Sequence, residues 1–269
     1  MITFFIAIVA GGTSFALFNM VAGFGMGWSI FLGLLVFAVF QGVAGFFIQR
    51  RVKADMSKVQ AILMDGQKRL QQKMQRWQMR PPGSIQAAQK EIFEDTKVFV
   101  RQALGEVAKL RKYRWLVPMM DRQIATASVQ LNWMVKDFRE VDKMLPKALY
   151  IDPTMVAIRM ARMYMLTSPL SEIRKLYRKG VARAKYNGNV LLAAAMSWME
   201  VKSGDSDGAF KTLTEALKKS DNATLKQNHE LLMNNRVGHF SNSGLGDQWY
   251  SLLLEEPKVK TQRQHGVYR

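Results

Sequence analysis

The sequence predicts an all-α protein: two transmembrane helices, a basic juxtamembrane helix, then an α-solenoid of about three to four helix pairs. Three observations carry that prediction. Residues 1–49 hold no Lys, Arg, Asp, Glu or His, although the chain has 39 basic and 21 acidic residues and a net charge of +18. Residues 50–79 place apolar side chains at alternating steps of four and three. Ala148-Leu149 and Ala216-Leu217 lie 68 residues apart, and each pair is followed within five residues by an Asp.

The head, 1–49, reads as a transmembrane hairpin. A spanning helix needs about 20 apolar residues, and Ile2 to Val21 and Trp28 to Ile48 each supply them. Between them "AGFGMG" alternates three glycines, which suits a turn. A soluble hairpin would show a polar face. A cleaved signal would show a basic leader and a shorter apolar run. Arg50, Arg51 and Lys53 follow the second run directly. Basic flanks stay cytoplasmic, so both termini and the repeat domain are expected inside, in a multi-pass protein of the bacterial inner membrane. Ala10/Ser14 and Ala38/Gly42 are the small residues expected at the close helix contact. Asn19 and Gln41 are placed to bond across the hairpin or to a second copy of the chain. No charged residue in the spans supports transport.

Residues 50–80 form the basic helix. Val52, Met56, Val59, Leu63, Leu70 and Trp77 make a heptad seam, with Gly66 and Lys73 at its remaining positions. Those two weaken it, so the helix is expected to pack on one partner helix. Nine basic residues here face only Asp55 and Asp65. Beside a membrane such charge attracts anionic lipid, with Arg50, Arg51, Lys53 and Lys58 as the contacting residues. "RPPGS" ends the helix. Residues 81–118 form a linking helix, with the aromatics of "KLRKYRW" expected to be buried at its end. Glu91, Glu94 and Asp95 are expected on a solvated face.

Residues 119–257 carry the repeats, and 258–269 form a basic tail. "KDF", Lys136 to Phe138, precedes Ala148 by the same interval that separates "GDS", Gly204 to Ser206, from Ala216. Twice 34 residues is the spacing, and it resembles the tetratricopeptide repeat (TPR), a helix–turn–helix unit. Ala209 and Ala216 take the family's two small positions, and Ala148 and Pro153 take two positions of the earlier copy. Asp152-Pro153 is expected to stop the second helix of one repeat and launch the next. The repeats fall at about 122–155, 156–189, 190–223 and 224–257, with Ile173 and Gly180 departing from the pattern and the last copy a divergent cap. The layout is also similar to that of bacterial HemY-type membrane proteins.

No site chemistry emerges. The chain has no Cys, and His229, His239 and His265 lack metal-ligand spacing. Neither a phosphate loop nor a nucleophile elbow is present. No cofactor, metal or enzymatic activity is therefore expected. The 18 methionines read as adaptable core. The leading function is a membrane-anchored scaffold that presents a protein-binding surface at the cytoplasmic face. Its candidate contacts lie on the first helices: Arg159, Arg162, Gln227, Asn228 and Glu230. Two alternatives stand beside it. One is a basic membrane-proximal module for anionic lipid, ribosome or nucleic acid, the last disfavoured because the charge is spread over several helices. The other is a non-catalytic subunit of a membrane enzyme or transporter.

Overall fold

The computed structural model describes residues 2–21, 23, 25–79, 83–184 and 188–257. The tail 258–269, with His265, and Arg80 to Pro82 lie outside them. The described residues form helices and turns without strands. They divide into two compact units, Met1–Ala148 and Leu149–Arg269.

The first unit begins with α1 (Ile2–Met20) and α2 (Met26–Met79). At about 1.5 Å per residue, the 54 residues of α2 extend about 80 Å without a break at the change from apolar to basic composition. The apolar end of α2 is long and apolar enough to cross a membrane; its most apolar 18-residue window has a mean hydropathy of 2.3 and is only 6% buried. Helix α1 is apolar but shorter. The two helices pack together, with Gly42, one of the expected small residues, away from the contact. They come close at Gly11 and Gly33, where a Cβ on either glycine would lie 2.9–3.0 Å from the other's carbonyl oxygen. Gly42 meets nothing within 4 Å of such a Cβ. Gln41 Oε1 is buried with no hydrogen-bond partner among the described residues.

The basic half of α2 pairs with α3 (Ile85–Lys109), which Ser84 caps by accepting from the Ala87 N–H at 3.1 Å. Val59, Phe99, Val100, Ala103 and Val107 form the seam, joined by Leu131 of α4 (Met120–Met134). Gly66 does not weaken this seam. A Cβ there would sit 2.5 Å from the Phe99 ring, so the missing side chain is the socket for that ring. Lys73 likewise bridges to Glu91, at 2.6 Å, and to Asp95. These two carboxylates therefore join the helices and are not simply solvated. As residue numbers fall along α2 they rise along α3, so the pair is antiparallel. A 3-10 turn, Leu110–Tyr113, follows α3. Tyr113 is buried as expected, but Trp115 is exposed. The unit ends with α5 (Phe138–Met144) and a 3-10 turn, Leu145–Lys147.

The second unit contains α6 (Pro153–Met165), α7 (Leu170–Arg183), α8 (Gly188–Lys202), α9 (Ser206–Leu217) and α10 (Ala223–Met233). Two 3-10 turns and a short α11 (Asp247–Tyr250) complete it. Helix α8 is the core: Leu192 to Ser197 and Met199 are fully buried, and it packs against α6, α7 and α9. Gly180 lets α7 close on this core, since a Cβ there would meet Val156 at 2.7 Å. Ala148, Ala209 and Ala216 are buried.

Helices α4, α6, α8 and α10 end alike. Each is followed by a residue at positive φ: Lys136 (57°), Thr167 (55°), Gly204 (82°) and Asn235 (53°). The next N–H then reaches back to a helix carbonyl: Asp137 to Asn132 (2.9 Å), Ser168 to Met163 (3.0 Å), Asp205 to Glu200 (2.9 Å) and Arg236 to Leu231 (2.7 Å). That arrangement satisfies helix-end carbonyls and turns the chain back. Asp137 and Asp205 then cap α5 and α9. Asp152-Pro153 launches a helix as expected but does not stop the one before it. Regular helix has already ended at Lys147, and Asp152 caps α6 from the Thr154 N–H with Pro153 in the first turn. The dipeptide starts a helix and does not stop one, because a proline at this position gives up only an N–H that would be unpaired anyway.

Candidate functional site

A cleft of about 790 Å³ lies in the second unit between α7 and α9, with α8 as its floor. Helical spacing creates it. Ile173, Tyr177 and Gly180 turn inward from α7, and Ala209, Leu213 and Ala216 turn inward from α9. The intervening Arg174 and Arg178 on α7, Lys211 and Glu215 on α9, and Lys219 just after it line the opening.

A charged network organises the floor. Glu200 is fully buried in α8, where it is the only carboxylate. Its Oε1 accepts from Arg174 Nε at 3.0 Å and Nη2 at 2.6 Å, and its Oε2 from Thr212 Oγ1 at 2.7 Å. Arg174 Nη2 also reaches Asp205 Oδ2 at 2.8 Å, while Asp205 Oδ1 takes the Gly208 N–H at 2.8 Å. Burial pushes the Glu200 carboxyl up against the opposing pull of Arg174 and Thr212. The Gly208 N–H, then Arg174, hold Asp205 down despite some burial. Burial, with Glu200 and Glu215 nearby, pushes Tyr177 up to about 12. One network therefore ties α7, α8 and the start of α9 into a fixed frame.

Asn189, in the first turn of α8, also lines the cleft. It is only 6% exposed, and its Oδ1 has no hydrogen-bond partner among the described residues. An unpaired buried acceptor costs about 1–3 kcal/mol, which a ligand N–H would recover. The cleft thus offers hydrogen bonding and a rim of both charges. Among the described residues no group of three His, Cys, Asp or Glu is placed to hold a metal ion.

The expected contact residues lie elsewhere. Arg159 is half-buried, its guanidinium 4.6 Å from the centre of the Tyr150 ring. Arg162 is half-buried and engaged. Gln227 and Glu230 are exposed on α10. Asn228 is 1% exposed and is a structural clip: its Nδ2 donates to Asn242 Oδ1 at 2.8 Å and its Oδ1 accepts from the Ser241 N–H at 3.1 Å. Asn242 in turn donates to the Ala194 carbonyl at 2.9 Å. That chain needs both amides indoors, so Asn228 is not open to a partner. His229 stacks on Phe210 at 4.4 Å, a packing role. Arg50, Arg51, Lys53 and Lys58 are exposed along α2, with Lys58 paired to Asp55 at 2.9 Å.

Sequence reasoning missed Arg174, Glu200 and Asn189. The available signal was Glu200 itself: a lone carboxylate in "GNVLLAAAMSWMEVK" must find a cation once that helix is buried. Comparison with known proteins gave no match to a family model, a curated protein or a solved structure.

Proposed function

We propose that the protein is a membrane-anchored scaffold whose TPR-like helix pairs hold a segment of a protein partner near the cytoplasmic face. The α1–α2 hairpin is the anchor and crosses the membrane twice. The recurring helix ends at Lys136, Thr167, Gly204 and Asn235 support the repeat reading. The single observation that carries the function is the α7–α9 cleft with, at its edge, Asn189 Oδ1, which has no hydrogen-bond partner among the described residues. An extended polypeptide presents main-chain N–H groups that this oxygen can accept from, and side chains of either sign for the mixed rim. The binding face therefore belongs to the second helices of the pairs, in place of the first-helix residues Arg159, Arg162, Gln227 and Glu230.

The test compares proteins recovered with the full-length chain from solubilised membranes. Arg178→Glu/Lys211→Glu is expected to lose a specific partner that Arg159→Glu/Arg162→Glu retains. The reverse pattern moves the site to the first helices. Recovery of the same proteins by all three forms removes both faces.

A further inference from the structure

The second half of α3 runs back toward the apolar end of α2, and this returns a distant stretch of chain to the place where α2 leaves its apolar segment. Val52 and Met56 pack against a cluster of Leu110, Tyr113 and Met120, joined by Leu116 and Val117. Asp55 pins the same stretch: its Oδ2 accepts from Tyr113 Oη at 2.9 Å and from Lys112 Nζ at 2.7 Å. Those hydrogen bonds, Lys112 first, hold the Asp55 carboxyl well below the usual range, so the tie stays charged at neutral pH. Along a helix axis Asp55 lies only about 7–8 Å beyond Arg50. The head-group layer of a bilayer is about 5–8 Å deep on each side.

At that level the 110–119 segment turns outward. Trp115 is 59% exposed and Met119 60% exposed. Met119 is held at φ 60° as α4 starts. Arg111, Lys112 and Arg114 are exposed around them, and the Arg114 guanidinium lies 4.9 Å from the Trp115 ring centre. An indole flanked by cations matches the bilayer interface, where aromatic rings sit at head-group depth and basic side chains meet phosphate.

We propose that residues 110–119 form a second membrane contact, separate in sequence from the hairpin, and that Trp115, Met119, Arg111 and Arg114 join Arg50 and Arg51 in one surface for anionic phospholipid head groups. The contact would brace the α2–α3 pair against the bilayer and limit its tilt. This rests on α2 spanning the membrane through its apolar half.

The cysteine-free chain makes the test direct. Full-length Trp115→Cys is spin-labelled and placed in nanodiscs of phosphatidylcholine with phosphatidylglycerol, with Phe47→Cys and Gln227→Cys as references and Met119→Cys as a second reporter. Relative accessibility to oxygen and to a water-soluble nickel chelate gives depth. The expected result is hydrocarbon depth at 47, head-group depth at 115 and 119, and water at 227. Adding Arg111→Glu/Arg114→Glu is expected to raise nickel accessibility at 115 about tenfold, toward the value at 227. Hydrocarbon depth at 47 with water at both 115 and 119 overturns the contact while leaving the span intact. Water at 47 overturns the span on which it rests. Equal depth at 115 in phosphatidylcholine alone overturns the assignment to anionic head groups.

Discussion

Glu200 concentrates the energetics of the second unit in one side chain. It is fully buried, and Arg174 is its cation. Removing one partner of such a pair strands a buried charge, whereas removing both is often tolerated. Arg174→Met is expected to lower unfolding free energy by about 2–3 kcal/mol, less than for a wholly enclosed pair because the arginine side chain is 32% exposed. Arg174→Met/Glu200→Leu is expected to recover most of that loss in denaturant titrations. A double variant less stable than the single would mean that the network supports folding through something other than charge compensation. A second, half-buried acceptor had no such signal in the sequence. Glu255 takes the Trp198 Nε1–H on one oxygen and the Trp249 Nε1–H on the other, both at 2.8 Å. Nothing in the local sequence announces a partner 57 residues away.

At the scale of elements, the α2–α3 pair separates what period reveals from what it hides. The seam from Val52 to Trp77 was readable because one helical face needs only local spacing. The meaning of Gly66 and Lys73 was not, because it depends on Phe99, Glu91 and Asp95 of the facing helix. Gly66→Ala tests this. In an exposed helix the change would stabilise by about 0.5–1 kcal/mol. Here the new Cβ meets the Phe99 ring at 2.5 Å, so a loss of about 1–3 kcal/mol is expected in thermal unfolding. Trimming the ring in Gly66→Ala/Phe99→Leu is expected to relieve part of it, and a stabilised Gly66→Ala would refute the socket. The repeats show a similar division. The 68-residue recurrence found real helix ends, Lys136 and Gly204 among them. The α7–α9 cleft was missed because it is made by residues from three helices, whereas the sequence reading considered only first-helix residues.

For the whole molecule, the proposal joins an apolar hairpin to a body that binds a partner. In that proposed arrangement Arg50, Arg51 and Lys53 would set the orientation, the α2–α3 pair with its 110–119 segment would stand at the membrane surface, and the cleft in the second unit would meet the partner. Every part of this proposal requires the turn of the hairpin and the repeat domain to lie on opposite sides of the bilayer. The most direct measurement uses single cysteines at Gly25, which a Cβ can occupy freely, and at the exposed Asn235, probed in intact cells with a membrane-impermeant maleimide. The account predicts that Gly25→Cys labels from outside and that Asn235→Cys labels only after the membrane is opened. Labelling of both positions from the same side would contradict it.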